Sequence, residues 1–216
     1  MIIAQPHHRS RQEITAHDPT HLVQQIKSST QQSGVSFGYM VATARVESNF
    51  DPQARAKTSS ASGLYQFTSG TWLKLVKTHG SKHGLETLAS QIDEQGRVAD
   101  PAIRQTILEL RHDPKIAIKL GIDFTRDNQI SLENSLNRRV NGGELYLAHF
   151  MGASQAGQFL ATIDKNPNTR AADLFPKAAA ANPSVFFDKE GNAKTVSAIM
   201  QNFTQKIDAK VAGVSP

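Results

Sequence analysis

The sequence predicts an all-α protein assembled from many short helices. Three observations carry this. Apolar residues recur three and four apart in most segments, as in Phe37, Met40, Val41 and Ala44, which is the period of one helix face. Asp-Pro pairs and glycines punctuate the chain where such faces begin and end. The alternation expected of a half-buried strand is nearly absent, and no repeat of about 20–50 residues emerges that would make a solenoid.

The elements follow in order. Residues 1–18 are polar, contain Pro6 and read as a flexible tail. Asp18 as cap and Pro19 in the first turn open a helix that Gly34 closes. A second helix covers residues 36–48 and is broken by Asp51-Pro52, because proline disfavours a helical residue before it. "ARAKTSSASG", residues 54–63, is small and polar and reads as a loop or short hairpin. "SGTWLKLVKTHG" is a short helix closed by Gly80, with Trp72 in the core, and "LETLASQID" is another. Asp100-Pro101 and Asp113-Pro114 each open a further helix. "NGGELYLAHFMG" runs helical from a Gly-rich turn to Gly152, and "SQAGQFLATID" follows as a short helix. Residues 166–193 hold Pro167, Pro176 and Pro183 and read as irregular, before a closing helix over "KTVSAIMQNFTQKID". The expected organisation is a tail (1–18), one domain (19–165), and an irregular segment with a C-terminal helix packed on it (166–216).

A chain of 216 residues is long enough to bury a core without staples. The absence of cysteine excludes disulfides, thiol catalysis and cysteine-zinc sites. The net charge of +5 is spread along the chain, and with no nucleic-acid-binding signature it reads as solubility rather than a nucleic-acid partner. No apolar run approaches the roughly 20 residues of a membrane span. The start, "MIIAQPHHRSRQ", lacks the order of a signal peptide, since basic residues follow the short apolar stretch. The chain is then intracellular, or exported by another route, or has lost a leader.

Chemistry concentrates at "ARVESNF", residues 44–50. Glu47 lies among Ala44, Val46 and Phe50, on the last turn of a helix that reads as largely buried. A buried carboxyl is costly unless paired or protonated, and a protonated carboxyl is what a general acid requires. Taken alone, an exposed Glu is the commoner case.

The neighbours shift that weighting. "ARVESNFDPQA" followed by "SGLYQF" and a helix resembles the soluble lytic transglycosylase family, related to goose-type lysozyme. That family's first motif, Glu-Ser at the end of a buried helix, is matched by Glu47-Ser48. Its second, Gly-Leu-Met-Gln, is matched by Gly63, Leu64 and Gln66, with Tyr65 in place of Met. Its third, Ala-Tyr-Asn-x-Gly, is matched loosely in "LAHFMG" by Ala148 and Gly152, with His149 for Tyr and Phe150 for Asn. The likeness is firm over residues 35–75 and loose over 142–162. It implies a lysozyme-like domain with a helical C-terminal extension. It also implies cleavage of the β-1,4 bond between N-acetylmuramic acid and N-acetylglucosamine in peptidoglycan.

In that family one Glu acts first as acid and then as base, the muramoyl 6-hydroxyl attacks, and a 1,6-anhydro product forms with no cofactor. Carried over, Glu47 is catalytic. Ser48, Gln66 and the loop hydroxyls Thr58 and Ser59 contact the sugar, although ordinary loop bonding explains the hydroxyls equally well. Tyr65, Tyr146, His149 and Phe150 form an aromatic cleft wall, with Tyr146 also placed to orient Glu47, and with a core role for Phe150 equally weighted. The partner is the peptidoglycan glycan strand, in the periplasm or cell envelope. Wall remodelling, secretion-apparatus assembly, phage entry and effector delivery all use this chemistry, so a secretion or envelope-assembly partner is compatible with it.

A two-carboxylate glycosidase would need a second acid roughly 5–9.5 Å from the first. Asp51 reads as a turn residue before Pro52, which leaves distant acids such as Asp123 and Asp127. A hydrolytic muramidase is therefore the alternative enzyme, and a non-catalytic glycan-binding or assembly module the alternative class. His17/His21 and His79/His83 have ligand-like spacing, but neither pair sits inside a good helix, and no metal is expected.

Overall fold

The computed structural model describes residues 19–213, so the expected tail and the Asp18 cap lie outside the described residues. The fold is all-α, as expected. Its helices are α1 (Pro19–Thr30), α2 (Phe37–Ser48), α3 (Ser69–His79), α4 (Glu86–Ser90), α5 (Pro101–Glu109) and α6 (Pro114–Leu136). They continue with α7 (Gly142–Met151), α8 (Ala153–Lys165), α9 (Ala171–Leu174), α10 (Pro176–Ala181), α11 (Pro183–Phe186) and α12 (Val196–Val211). Single 3-10 turns at Gly80–His83 and Leu110–His112 extend α3 and join α5 to α6.

The start signals act as the sequence indicates. Asp100 and Asp113 accept hydrogen bonds from the first free amides of α5 and α6, each followed by proline at the first helical position. The stops differ in two places. α1 ends at Thr30 rather than Gly34, where the Thr30 hydroxyl bonds back to the Ile26 carbonyl. α2 is ended by Asn49 in the left-handed conformation at φ 52°, with Phe50 beside it at φ 63°, before Asp51-Pro52 is reached. Residues 166–193, expected to be irregular, contain the three short helices α9–α11, two of which open on prolines of that stretch.

The 23-residue α6 is the axis of the domain and packs against α1, α3, α7 and α8. Its buried side brings Ile118 and Leu120 into one core with Leu22, Met40, Leu64 and Trp72. Trp72 is fully buried, as expected, and its indole N–H donates to the Ile107 carbonyl at 2.7 Å, so its one polar atom is satisfied.

α12 lies across α7 and α2. The approach to α7 depends on Gly142 and Gly143. A Cβ on Gly143 would stand 2.8 Å from the Thr204 Cα, and one on Gly142 3.2 Å from the Ile207 side chain. α12 thus meets α7 through backbone-close contact. Gly143→Ala should force the two helices apart and cost about 1–3 kcal/mol, in line with overpacked cores. Urea unfolding midpoints of the two proteins measure this directly.

Candidate active site

The loop between α2 and α3 is folded before the site can exist. Arg55 pairs with Ser62, and Ser62 with Phe67, as isolated bridges, which makes the predicted loop hairpin-like. Gly63 takes φ 80°, and a Cβ there would lie 2.2 Å from the Arg111 carbonyl oxygen; both conditions select glycine. Arg111 is buried beneath this loop and donates to the carbonyls of Ser60 at 2.6 Å and Phe67 at 3.1 Å. His112 joins the Pro52 carbonyl to the Ser62 hydroxyl at 2.8 and 3.2 Å.

Two motif residues serve the same loop. The Ser48 hydroxyl lies 3.1 Å from the Ala44 carbonyl and 2.9 Å from the Leu64 carbonyl, tying the end of α2 to the second motif. The Gln66 amide donates to the carbonyls of Ala54 and Gly63 at 3.2 and 2.9 Å. Asp51 caps the amide of Gln53 at 2.8 Å, the turn role read for it.

Glu47 projects from the last turn of α2, with its side chain 17% exposed. α7 supplies its partners across the interface. The Tyr146 hydroxyl donates to Oε1 at 2.8 Å, and His149 Nε2 stands 3.8 Å from the same oxygen. The two rings lie one turn apart and are stacked, 6.0 Å between centroids with planes at 6°. Burial, then the negative charge of Glu47 and the hydrogen bond to it, push the Tyr146 phenol well above its ordinary 10.0. Tyr146 therefore stays a proton donor. Burial pulls His149 below its ordinary 6.5, and the nearby Lys206 charge acts in the same sense. The Glu47 charge and a hydrogen bond to the Tyr65 backbone oppose this without overcoming it.

A groove of about 660 Å³ opens beside this cluster, lined by Gln66, Phe67, Phe124, Asn128, His149 and Phe150 among others. Glu47 is not part of that lining and adjoins it through His149. Phe67 and Phe124 meet edge-on at 5.3 Å, and both rings pack on His149. Phe150 combines the two roles weighed for it: it lines the groove, is half-buried, and packs edge-on against Phe203 at 5.4 Å.

Five expected placements differ, among them Ser48 and Tyr146, which lie outside the groove lining although Tyr146 orients Glu47 as read. Tyr65 is buried and does not line the groove; its ring turns inward against α6, where the missing Cβ of Gly121 makes room at 3.1 Å. Phe67 and Phe124 hold the wall instead. Thr58 and Ser59 are exposed on the loop and lie outside the groove lining, with the Ser59 hydroxyl accepting from the Ala61 amide.

Phe67, Phe124, Asn128 and Lys206 were not singled out from the sequence. Phe67 directly follows Gln66, which was an available signal; the other three lie in distant segments. Of the two distant acids, Asp127 reaches the groove and pairs with His79 at 2.6 Å. Asp123, one turn earlier on α6, is buried outside the groove lining and pairs with His83 at 2.6 Å. The His79/His83 spacing thus matches carboxylates one turn apart on α6.

An all-α fold with a half-buried carboxyl beside an aromatic groove has the form of a lysozyme-like enzyme acting on glycan strands. Residues 24–148, more than half of the chain, match the family model described as Transglycosylase SLT domain, and the chain belongs to that family. Members are peptidoglycan lytic transglycosylases, so the protein is an enzyme with peptidoglycan as its substrate rather than an idle binding module. Among the described residues, no helix is long and apolar enough to cross a membrane.

His149 gives the site a pH signature. Its proton affinity is lower folded than unfolded, so between its depressed value and 6.5 the unfolded chain binds more protons and stability rises with pH. Acidification from about pH 7.5 to pH 5 should therefore destabilise the wild type more than His149→Gln, whose side chain does not titrate. Thermal melts across that range test this, and parallel curves would remove His149 as the cause.

Proposed function

We propose that Glu47 is the single acid–base residue of a lytic transglycosylase cleaving the β-1,4 bond between N-acetylmuramic acid and N-acetylglucosamine. As an acid, Glu47 gives its proton to the glycosidic oxygen. As a base, it then takes the proton of the muramoyl 6-hydroxyl, whose oxygen attacks the anomeric carbon and closes a 1,6-anhydro ring. No water enters and no cofactor is needed. Tyr146 holds Oε1 in place, and the glycan lies along the groove formed by Phe67, Phe124, His149 and Phe150.

The observation that carries this reading is the short hydrogen bond from the Tyr146 hydroxyl to Glu47 Oε1 at 2.8 Å, at a half-buried carboxyl beside the groove. The acid nearest in sequence, Asp51, is turned to the Gln53 amide. A hydrolytic muramidase is the second reading, favoured by Asp127 in the groove and by Phe150 in place of an amide side chain. The site of action is the cell envelope, where peptidoglycan lies.

Glu47→Gln should lower release of soluble fragments from purified peptidoglycan by at least about 100-fold, the low end for a lost general acid, while the melting temperature stays close to that of the wild type. Clearing by a folded Glu47→Gln protein would take the role away from Glu47. Mass spectrometry of wild-type products separates the two readings: anhydro ends are one water lighter than hydrolysed ends.

A further inference from the structure

α12 lies beyond the residues matched to the family, yet it touches the centre of the site. The glycines of α7 let it approach closely, and one face then presents Phe203 and Lys206 to Tyr146. The Phe203 ring meets Tyr146 edge-on at 5.2 Å. Lys206 Nζ stands 3.2 Å from the Tyr146 hydroxyl and 5.2 Å from the ring centroid.

Donor chemistry fixes the direction of this chain. An ammonium group has protons to give and no lone pair to receive one. Tyr146 must therefore accept from Lys206, and its single hydroxyl proton is left for Glu47 Oε1 at 2.8 Å. Without Lys206 nothing on that side obliges the hydroxyl oxygen to act as acceptor, and a phenol can turn to donate elsewhere. A charged donor also polarises the hydroxyl and strengthens its outgoing bond.

We propose that Lys206 is a positioning residue of the active site: it acts through Tyr146 to hold Glu47 Oε1, leaving Oε2 to carry the proton to and from the sugar. The C-terminal helix is then part of the catalytic unit. This rests on Glu47 being the acid–base residue.

The test uses the full chain and soluble, uncrosslinked peptidoglycan strands, with Glu47→Gln as reference. Lys206→Met should lower kcat about 10- to 100-fold, the scale of a slightly misplaced catalytic group, with KM unchanged within about twofold and an unchanged circular dichroism spectrum. Lys206→Arg should restore most of the rate. In a Tyr146→Phe background, Lys206→Met should add less than about twofold further loss, because both substitutions break one chain. Lys206 is exposed, so folding should survive; Lys206→Gln replaces Lys206→Met if it does not.

If Glu47→Gln is inactive and folded Lys206→Met has wild-type kcat, this inference alone fails. It fails equally if the loss appears in KM, if Arg does not rescue, or if the two losses multiply in the double variant. If Glu47→Gln remains active, the reading of Glu47 fails first.

Discussion

A carboxyl drawn partly out of water must find its hydrogen bonds in the protein, and the organisation of this domain answers that demand at Glu47. α2 carries the residue but supplies none of the partners described. Tyr146 and His149 come from α7, about 100 positions away in the chain. They reach Oε1 because α7 and α2 share α12 as a common packing partner. A buried helix that ends in a titratable group is stable in this setting because a second helix delivers a neutral, strongly protonated phenol to it. The same arrangement keeps His149 uncharged near neutrality, so the carboxyl faces polar groups without facing a permanent counter-charge at contact distance.

Much of this could be read along the chain because its signals are local. Capping by Asp100 and Asp113 and the Glu47-Ser48 pair at a helix end depend on neighbours within a few residues, whereas the Arg111 carbonyl that excludes a side chain at Gly63 comes from a distant segment. The failures have a physical pattern as well. Tyr65 looked like a cleft residue because aromatic rings bind sugars, but the space left by Gly121 on α6 drew the ring inward, and nothing near Tyr65 in sequence announces that space. The three prolines of residues 166–193 make the segment read as mostly irregular. In Pro176 and Pro183 they occupy first helical positions, where the missing amide costs nothing. Ser48 and Gln66 look like sugar contacts from their motif alone, whereas the Ser48 hydroxyl ties α2 to the following loop and the Gln66 amide bonds within that loop.

Phe150 belongs to two environments at once. An aromatic ring at a groove edge exposes apolar surface, and the C-terminal segment covers part of it with Phe186 and Phe203. One side of Phe150 thus belongs to the packing of the extension and the other to the groove. Phe186 of α11 and Phe203 of α12 thus help to fix one edge of the groove.

The way Arg111 holds the loop also bears on how the loop can change. Its guanidinium grips the main-chain carbonyls of Ser60, Phe67 and Leu108, groups that every amino acid carries. The identities of Lys57, Thr58 and Ser59, all exposed, are correspondingly unconstrained by the latch. Sequence drift across these positions can change what this exposed face of the loop presents, while Gln66 and Glu47 keep their places. The outer face of the loop can vary quickly, apart from the groove lining, over a frame written in backbone atoms.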